Sequence, residues 1–418
     1  MKKPLLLLLI FIHINCFAQF ADKPFGSKPE EVGLSSDSLN KMNLFMQKYV
    51  AEKKLPGMIA MIGRHNKLAY LEKFGHMSAS KPMQLNAIFR IASMTKPITS
   101  VAIMILYDDG KLDINDPVEK YIPEFKNLQV LSSMNQGGLH LEAVKRPMTI
   151  SQLLMHTSGL ASGMDDTPID SMYRAAGLSA GTLKDMAAKL SKIPLLYQPG
   201  TTWNYGRSFD VLAYIVEVVS GMPFDEFISK RIFKPLKMDD TGFYVPADKL
   251  DRVSSVYAPA DSGNIQVILD SVVNNVSAKP TFLSGNGGLL STANDYMIFC
   301  QMLLNKGTYN GVSILKSATV DSLTSDHITN EVMPDDDFFG DLLSGMGFGF
   351  GVAVRNRQNA SGSNENIGSY WWSGSANTYF LIDPKEDLIL ILMTQFVPNY
   401  YYPVFNEFKT TVYKSIIK

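Results

Sequence analysis

The stretch Phe89-Arg90-Ile91-Ala92-Ser93-Met94-Thr95-Lys96-Pro97-Ile98-Thr99 carries a serine and a lysine three residues apart, and the rest of the chain reads as its housing. On a helix that spacing puts Ser93 and Lys96 on one face, with Cβ atoms roughly 5–6 Å apart. The run 93–106 has helical apolar spacing (Met94, Ile98, Ala102, Ile105) and ends at Asp108-Asp109-Gly110, a stop signal. Pro97 fits such a helix only if it begins near Ser93, because proline suits the first turn and breaks the interior. Ser93 is therefore expected at a helix N-terminus, where the partial positive charge favours an oxyanion. A serine hydroxyl is a weak nucleophile until a base takes its proton. Lys96 becomes that base if burial and cationic neighbours lower its pKa.

The pattern by itself is common. Ser38-Leu39-Asn40-Lys41 and Ser415-Ile416-Ile417-Lys418 repeat it, but in amphipathic helical runs that offer the lysine no buried setting. Ser93 differs in having an apolar helix behind it and Pro97 to mark the start. Composition frames the reading. The 418 residues are 46% hydrophobic and 19% charged, which suits a large core and two lobes. A net charge of −1 gives no broad pull toward nucleic acid or acidic lipid. The six histidines have no metal-ligand spacing and the only cysteines are Cys16 and Cys300, so no metal site is expected.

The N-terminus reads as an export signal. Lys2 and Lys3 precede an apolar run over 4–14, too short to span a bilayer, and Cys16-Phe17-Ala18 places small residues for cleavage after Ala18. A lipid anchor at Cys16 is disfavoured by Asn15 before it. The mature chain is expected to be periplasmic or secreted without a stable membrane anchor. Its net charge, two lysines fewer, becomes about −3, and Cys300 is left without an intramolecular partner.

Residues 35–53 form an amphipathic helix capped by Ser35 or Ser36. Residues 57–63 and 68–73 read as two strands around a turn at 64–67. A turn and short helix follow over 113–125, then a polar stretch over 137–146 that reads as a surface loop. Thr149-Ile150-Ser151-Gln152 is a capping box, and His156 at the end of its helix reads as a cap on the last carbonyls. Gly177-Leu178-Ser179-Ala180-Gly181 matches the nucleophile-elbow pattern but follows a helix instead of a strand, so Ser179 is rejected as a nucleophile. Helices are expected over 209–220, 224–232 and 292–306. Strands are expected over 346–354, 370–382 and 388–395, and a closing helix over 400–418. Strands and covering helices thus lie at both ends of the chain and helices in the middle. This predicts an α/β lobe from 19–115 and 285–418, with a mainly helical lobe from 116–284 inserted.

Pro199-Gly200-Thr201-Thr202-Trp203-Asn204-Tyr205-Gly206-Arg207-Ser208 leads into the 209–220 helix. On residues alone Tyr205 is either a rim aromatic or a group projecting into a cleft. Beside cations its phenol would lose its proton more readily and serve as general base toward Ser93, then as acid toward a leaving group.

The chain resembles the serine β-lactamase and penicillin-binding-protein-like superfamily, in the branch of class C β-lactamases and family VIII carboxylesterases. Ser93-Met94-Thr95-Lys96 is similar to that family's first motif. Tyr205-Gly206-Arg207 falls at the second, Tyr-x-Asn, and Trp372-Ser373-Gly374 at the third, Lys-Thr-Gly. His156-Thr157-Ser158-Gly159-Leu160, Pro235-Leu236-Lys237-Met238 and Gly287-Gly288-Leu289 are similar as well, so the likeness spans about 35–395. It implies a β-lactamase-like fold, an antiparallel sheet flanked by N- and C-terminal helices with an inserted helical lobe. It implies Ser93 as acylated nucleophile, Lys96 and Tyr205 sharing the proton transfers, and the backbone N–H groups of Ser93 and Ser375 as oxyanion hole. Arg207, Trp372, Ser373 and Gly374 fall at substrate-binding positions, and no metal or organic cofactor is implied.

Two departures narrow the substrate. Arg207 stands where a lactamase has the Asn that contacts an acylamide side chain. Trp372 stands where it has the Lys that receives a carboxylate, a contact worth about 1.5–3 kcal/mol. Arg207 is a candidate replacement for that cation. Both departures resemble the esterase branch. The expectation is an exported serine hydrolase of carboxylic esters. The alternatives are a β-lactamase or D-alanyl-D-alanine peptidase or amidase on the same machinery, and a penicillin-binding module without turnover.

Overall fold

The computed structural model describes residues 28–135, 138–261, 263–268, 276–328, 332, 345–357 and 364–417. The expected signal segment 1–18 lies outside the described residues.

The chain begins with α1 (Ser36–Ala51), whose N-cap Ser35 accepts a hydrogen bond from the Ser38 N–H. Strands β1 (Gly57–Arg64) and β2 (Lys67–Ser78) follow as a hairpin. Its two turn residues, His65 and Asn66, have φ of 52° and 56°, the pair of left-handed residues that matches strand twist. Then come β3 (Lys81–Pro82), β4 (Phe89–Arg90) and α2 (Thr95–Asp108). The middle of the chain holds a hairpin of β5 (Gln129–Asn135) and β6 (Gly138–Ala143). It continues with α3 (Ile150–Leu154), α4 (Pro168–Ala176), α5 (Leu183–Leu190) and α6 (Ser208–Ser220). After α7 (Phe224–Ile228), a π-helical turn over Ser229–Phe233 runs into α8 (Lys234–Leu236), and β7 (Tyr257–Pro259) pairs with β8 (Ile265–Val267). The C-terminal part comprises β9 (Leu290–Ser291), α9 (Ala293–Leu304), β10 (Thr308–Tyr309), β11 (Val312–Ser313), α10 (Ser317–Leu323) and β12 (Met346–Phe348). It closes with β13 (Ala353–Arg355), β14 (Tyr370–Gly374), β15 (Thr378–Asp383), β16 (Leu388–Thr394) and α11 (Val404–Ser415).

One eight-stranded antiparallel sheet runs in the order β12-β13-β14-β15-β16-β1-β2-β3, so strands from the two ends of the chain meet at β16–β1. Alternation along β15 gives the sheet its two covered faces. Phe380 meets Tyr296 of α9 with ring centroids 5.3 Å apart. Its neighbour Tyr379 stacks on Phe405 of α11 at 4.4 Å on the other face. Both layers are therefore dry, and β1 is buried along all eight residues. This is the expected fold. No helix among the described residues is long and apolar enough to cross a membrane.

Four details differ from expectation, the first being that the single strand expected over 346–354 is two antiparallel strands, β12 and β13. Residues 138–143 form a strand where a loop was expected. Strand β6 is largely exposed, so backbone pairing with β5 holds it and no buried face leaves a pattern. The expected single strand over 370–382 is two strands, β14 and β15, turned back at 375–377 with Asn377 at φ 61°. The central α2 begins at Thr95, and Ser93 lies in a preceding 3-10 turn, Ala92–Met94.

Candidate active site

Helix α2 is buried from Thr95 to Leu106 without a polar face, as suits a helix surrounded by protein. The turn that leads into it is held from several directions. Ile91 N–H donates to Leu289 O, Leu289 N–H to Thr95 Oγ1 (3.1 Å), Tyr296 Oη to Met94 O (2.9 Å) and Thr378 Oγ1 to Ile91 O (3.3 Å). Ala92, immediately before the serine, has φ 44°. A non-glycine residue in that region is strained and persists where its surroundings over-determine it. Ser93 remains partly exposed at the top of this turn.

Lys96 has no solvent exposure. Its Nζ lies 3.1 Å from Ser93 Oγ and donates to Asn286 O at 2.7 Å. Burial pushes its pKa well below the ordinary lysine value; the nearby Arg207 charge adds to this and Asp210 opposes it. The amine is thus held toward its neutral form, with a lone pair able to accept a proton.

Tyr205 donates to the same Ser93 Oγ at 2.7 Å, and Lys96 Nζ lies 4.5 Å from the centroid of its ring. The expectation that its phenol would ionise readily is corrected: its pKa is pushed up to about 12. Burial dominates, the Ser93 hydroxyl and the Trp372 indole N–H pull the other way, and Asp210 adds to the rise. Burial of the phenol outweighs both of these pulls. Tyr205 is carried by a turn that needs Gly206, where a Cβ would lie 2.5 Å from Leu160 O. His156 brackets this turn. Its carbonyl accepts from Asn204 N–H (2.7 Å), its Nδ1 accepts from Gly206 N–H (3.4 Å), and its ring packs 4.7 Å from that of Tyr205. The expected role of His156 as a cap on helix carbonyls is therefore replaced by a buried, neutral imidazole supporting the tyrosine.

Behind both groups lies Asp210, fully buried on α6. Its carboxylate accepts from Ser284 Oγ (2.7 Å), Asn286 N–H (3.0 Å) and Arg207 Nη1 (3.2 Å). It thereby fixes the 284–286 backbone whose carbonyl receives Lys96. Arg207, expected as a stand-in cation for a substrate carboxylate, is instead tied to Asp210, because a buried carboxylate needs a counter-charge.

The third motif lies along β14. Trp372 is buried and its ring centroid is 5.7 Å from that of Tyr205. Ser373, next on the strand, is buried and hydrogen-bonded to the Tyr400 hydroxyl. At Gly374 a Cβ would lie 2.4 Å from Ile91 O, so only glycine lets β14 abut the Ser93 turn. Ser375 is exposed in the following turn.

The structure thus brings Ser93, Lys96, Tyr205 and Trp372 together and leaves Ser179 exposed on a turn after α4. Asp210, Asn286 and Tyr400 were not read from the sequence. Asn286 acts through a backbone carbonyl and Asp210 through a helix interior, neither of which has a side-chain signature. Tyr400 lies among three consecutive tyrosines with nothing to mark one of them.

Comparison with known proteins finds relatives over most of the chain. Residues 42–402 match the family model described as Beta-lactamase. Protein Rv1367c of Mycobacterium tuberculosis is 34% identical over 351 residues, covering 82% of this chain and 87% of that protein. Esterase EstB of Burkholderia gladioli is 31% identical over 224 residues, 51% of this chain and 54% of the esterase. The solved structure of EstCE1, described as a hydrolase with promiscuous acyltransferase activity, aligns with a TM-score of 0.78 at 24% identity, over 90% of this chain and 99% of that one.

Proposed function

The chain belongs to the beta-lactamase family, whose members related to it include esterases, amidases and carboxypeptidases, and on that premise we propose that it is an exported serine hydrolase of carboxylic esters. One observation carries the reading: Ser93 Oγ lies between a neutral-leaning Lys96 at 3.1 Å and a protonated Tyr205 at 2.7 Å. The site backs onto the uncharged Trp372 where a lactamase presents a cation.

In the first step the Ser93 oxygen attacks the ester carbonyl and its proton passes to the Lys96 lone pair. The carbonyl oxygen gains the charge, with the backbone N–H groups of Ser93 and Ser375 as its receptors. One such donor is typically worth about 10²–10³ in rate. As the C–O bond to the alcohol breaks, the leaving oxygen takes the Tyr205 proton, and the Lys96 ammonium returns a proton to the phenolate. Water then enters by the reverse sequence, freeing the acid and restoring Ser93.

Three measurements test this reading. A fluorophosphonate is expected to form an adduct on Ser93, and an adduct on Ser179 alone would overturn the assignment. In a panel of p-nitrophenyl esters, nitrocefin and a D-alanyl-D-alanine peptide, the esters are expected to turn over fastest. Faster turnover of nitrocefin or the peptide makes the enzyme a lactamase or peptidase, and acylation without release makes it a binding module. N-terminal sequencing of exported protein is expected to begin after Ala18; a full-length cytoplasmic chain would remove the export.

A further inference from the structure

Tyr400 has a backbone that only a rigid setting explains. Its φ is 62°, and a bulky aromatic residue in the left-handed region is an outlier of the kind that clusters at ligand clamps and active sites. A buried asparagine holds it there. Asn377 Oδ1 accepts from Tyr400 N–H (3.2 Å) and from Tyr379 Oη (2.6 Å), while Asn377 Nδ2 donates to Phe396 O (2.7 Å) and Pro398 O (3.1 Å). The Tyr379 ring lies 5.8 Å from that of Tyr400. The outcome of this clamp is that the Tyr400 hydroxyl meets Ser373 Oγ, one residue along β14 from the Trp372 that contacts Tyr205. The Tyr400 and Tyr205 phenols are within electrostatic reach of each other.

We propose that Tyr400, paired with Ser373, is a specificity-determining residue that receives an uncharged hydrogen-bonding group on the alcohol side of the ester. The inference rests on the hydrolase reading above. Tyr205 hands its proton to the leaving oxygen, so groups next to it along β14 border the alcohol half of the substrate. Two hydroxyls that bond each other leave one O–H free to donate and lone pairs to accept, with no net charge. A carboxylate placed there loses its water without gaining a counter-charge. Arg207 is tied to Asp210 and Lys96 is buried and held toward neutrality. The selection is therefore for neutral polar alcohols and against anionic ones.

The test uses the mature chain and three acetate esters that differ only in the alcohol: phenyl, 4-(hydroxymethyl)phenyl and 4-carboxyphenyl. For the unmodified enzyme kcat/KM is expected to be highest for the hydroxymethyl ester and lowest for the carboxylate. In Tyr400→Phe the KM of the hydroxymethyl ester is expected to rise about 3- to 10-fold, the worth of one neutral hydrogen bond, while its kcat and the KM of phenyl acetate stay near their original values. Ser373→Ala removes the same pair from the other side and is expected to raise the KM of the hydroxymethyl ester more than that of phenyl acetate, which covers a misfolded Tyr400 variant. An unchanged KM for the hydroxymethyl ester in both variants, or an equal rise for all three esters, overturns the proposal. Fluorophosphonate labelling separates the two levels. Labelled Ser93 with unaltered selectivity rejects only the role of Tyr400, and unlabelled Ser93 rejects the hydrolase reading beneath it.

Discussion

Tyr205 and Ser93 are 112 residues apart in the chain and 2.7 Å apart at their oxygens, with Lys96 Nζ on the same serine oxygen at 3.1 Å. The serine is the middle member of a chain of contacts that runs from the phenol to the amine and ends on Asn286 O. A neutral amine has one lone pair for the serine proton, and its N–H to Asn286 orients that pair. Lys96→Ala and Lys96→Arg are both expected to lower kcat by about 10²–10⁴, the usual worth of a positioned general base, because arginine remains charged. Steady-state rates with p-nitrophenyl acetate check this. An arginine variant close to the original rate would remove the neutral amine from the mechanism.

The direction of the Lys96 shift sets the pH dependence. Burial lowers its pKa from 10.5, so the active neutral form fills as pH rises through that lowered value. The rate should therefore climb on the acid side and level off well below the ordinary lysine range. Tyr205, at about 12, keeps its proton throughout and adds no fall near neutrality. A profile of kcat/KM against pH reads this directly; a rate that climbs only near 10.5 would contradict the burial argument.

Tyr205→Phe keeps the ring and removes the proton donor. The expected loss is about 10²–10⁴ in kcat with KM little changed. Trp372→Phe removes the N–H that faces the phenol together with part of a buried ring, and should cost less in kcat than the loss of the Tyr205 hydroxyl, about tenfold for the hydrogen bond itself. The two variants measured side by side separate the acid from the group that polarises it.

Asp210 touches no substrate in this arrangement, yet it holds Ser284, Asn286 and Arg207. Asp210→Asn is expected to destabilise the fold by about 1.5–3 kcal/mol, the range for hydrogen bonds to a charged group. It should also lower kcat, because Asn286 O is released from its position against Lys96. Urea unfolding gives the first quantity and turnover the second. Full stability in the variant would show that the carboxylate does not fix the 284–286 backbone.

Gly374→Ala tests the close approach of β14. A Cβ there would meet Ile91 O at 2.4 Å, so the strand or the Ser93 turn has to move. A displacement of about 1 Å at a reacting centre can cost about 10²-fold in rate. Circular dichroism should find the sheet retained while activity falls by that order.

Much of this was legible in local pattern. Pro97 and the apolar run located α2 to within two residues, because proline is tolerated only in a first turn. The capping box at Thr149 is present as read. The 138–143 hairpin was not legible, because its strands bury no face and leave no alternation. The split at 375–377 did leave a signal, the small and polar run Ser373-Gly374-Ser375-Ala376-Asn377-Thr378, which the single-strand reading passed over. At the site, Ser93 and Lys96 were found through spacing and flanking residues, and Tyr205 through the resemblance of its motif to the family's second. The behaviour of Tyr205 was misjudged because the neighbours that set it lie elsewhere in the chain, whereas the partner of Arg207, Asp210, stood only three residues on.

By itself the sequence determined which side chains are available and which local shapes they favour: a serine and lysine one turn apart, a tyrosine on a glycine turn, strands at both ends of the chain. These are properties of neighbours within a few residues, and periodicity and capping record them. Only the tertiary structure decided that Lys96 is sealed from water, that Tyr205 reaches Ser93, and that Tyr400 meets Ser373. Protonation and pairing follow from solvent exclusion and nearby charge, and those come from residues that the chain brings together from 27 to 287 positions away.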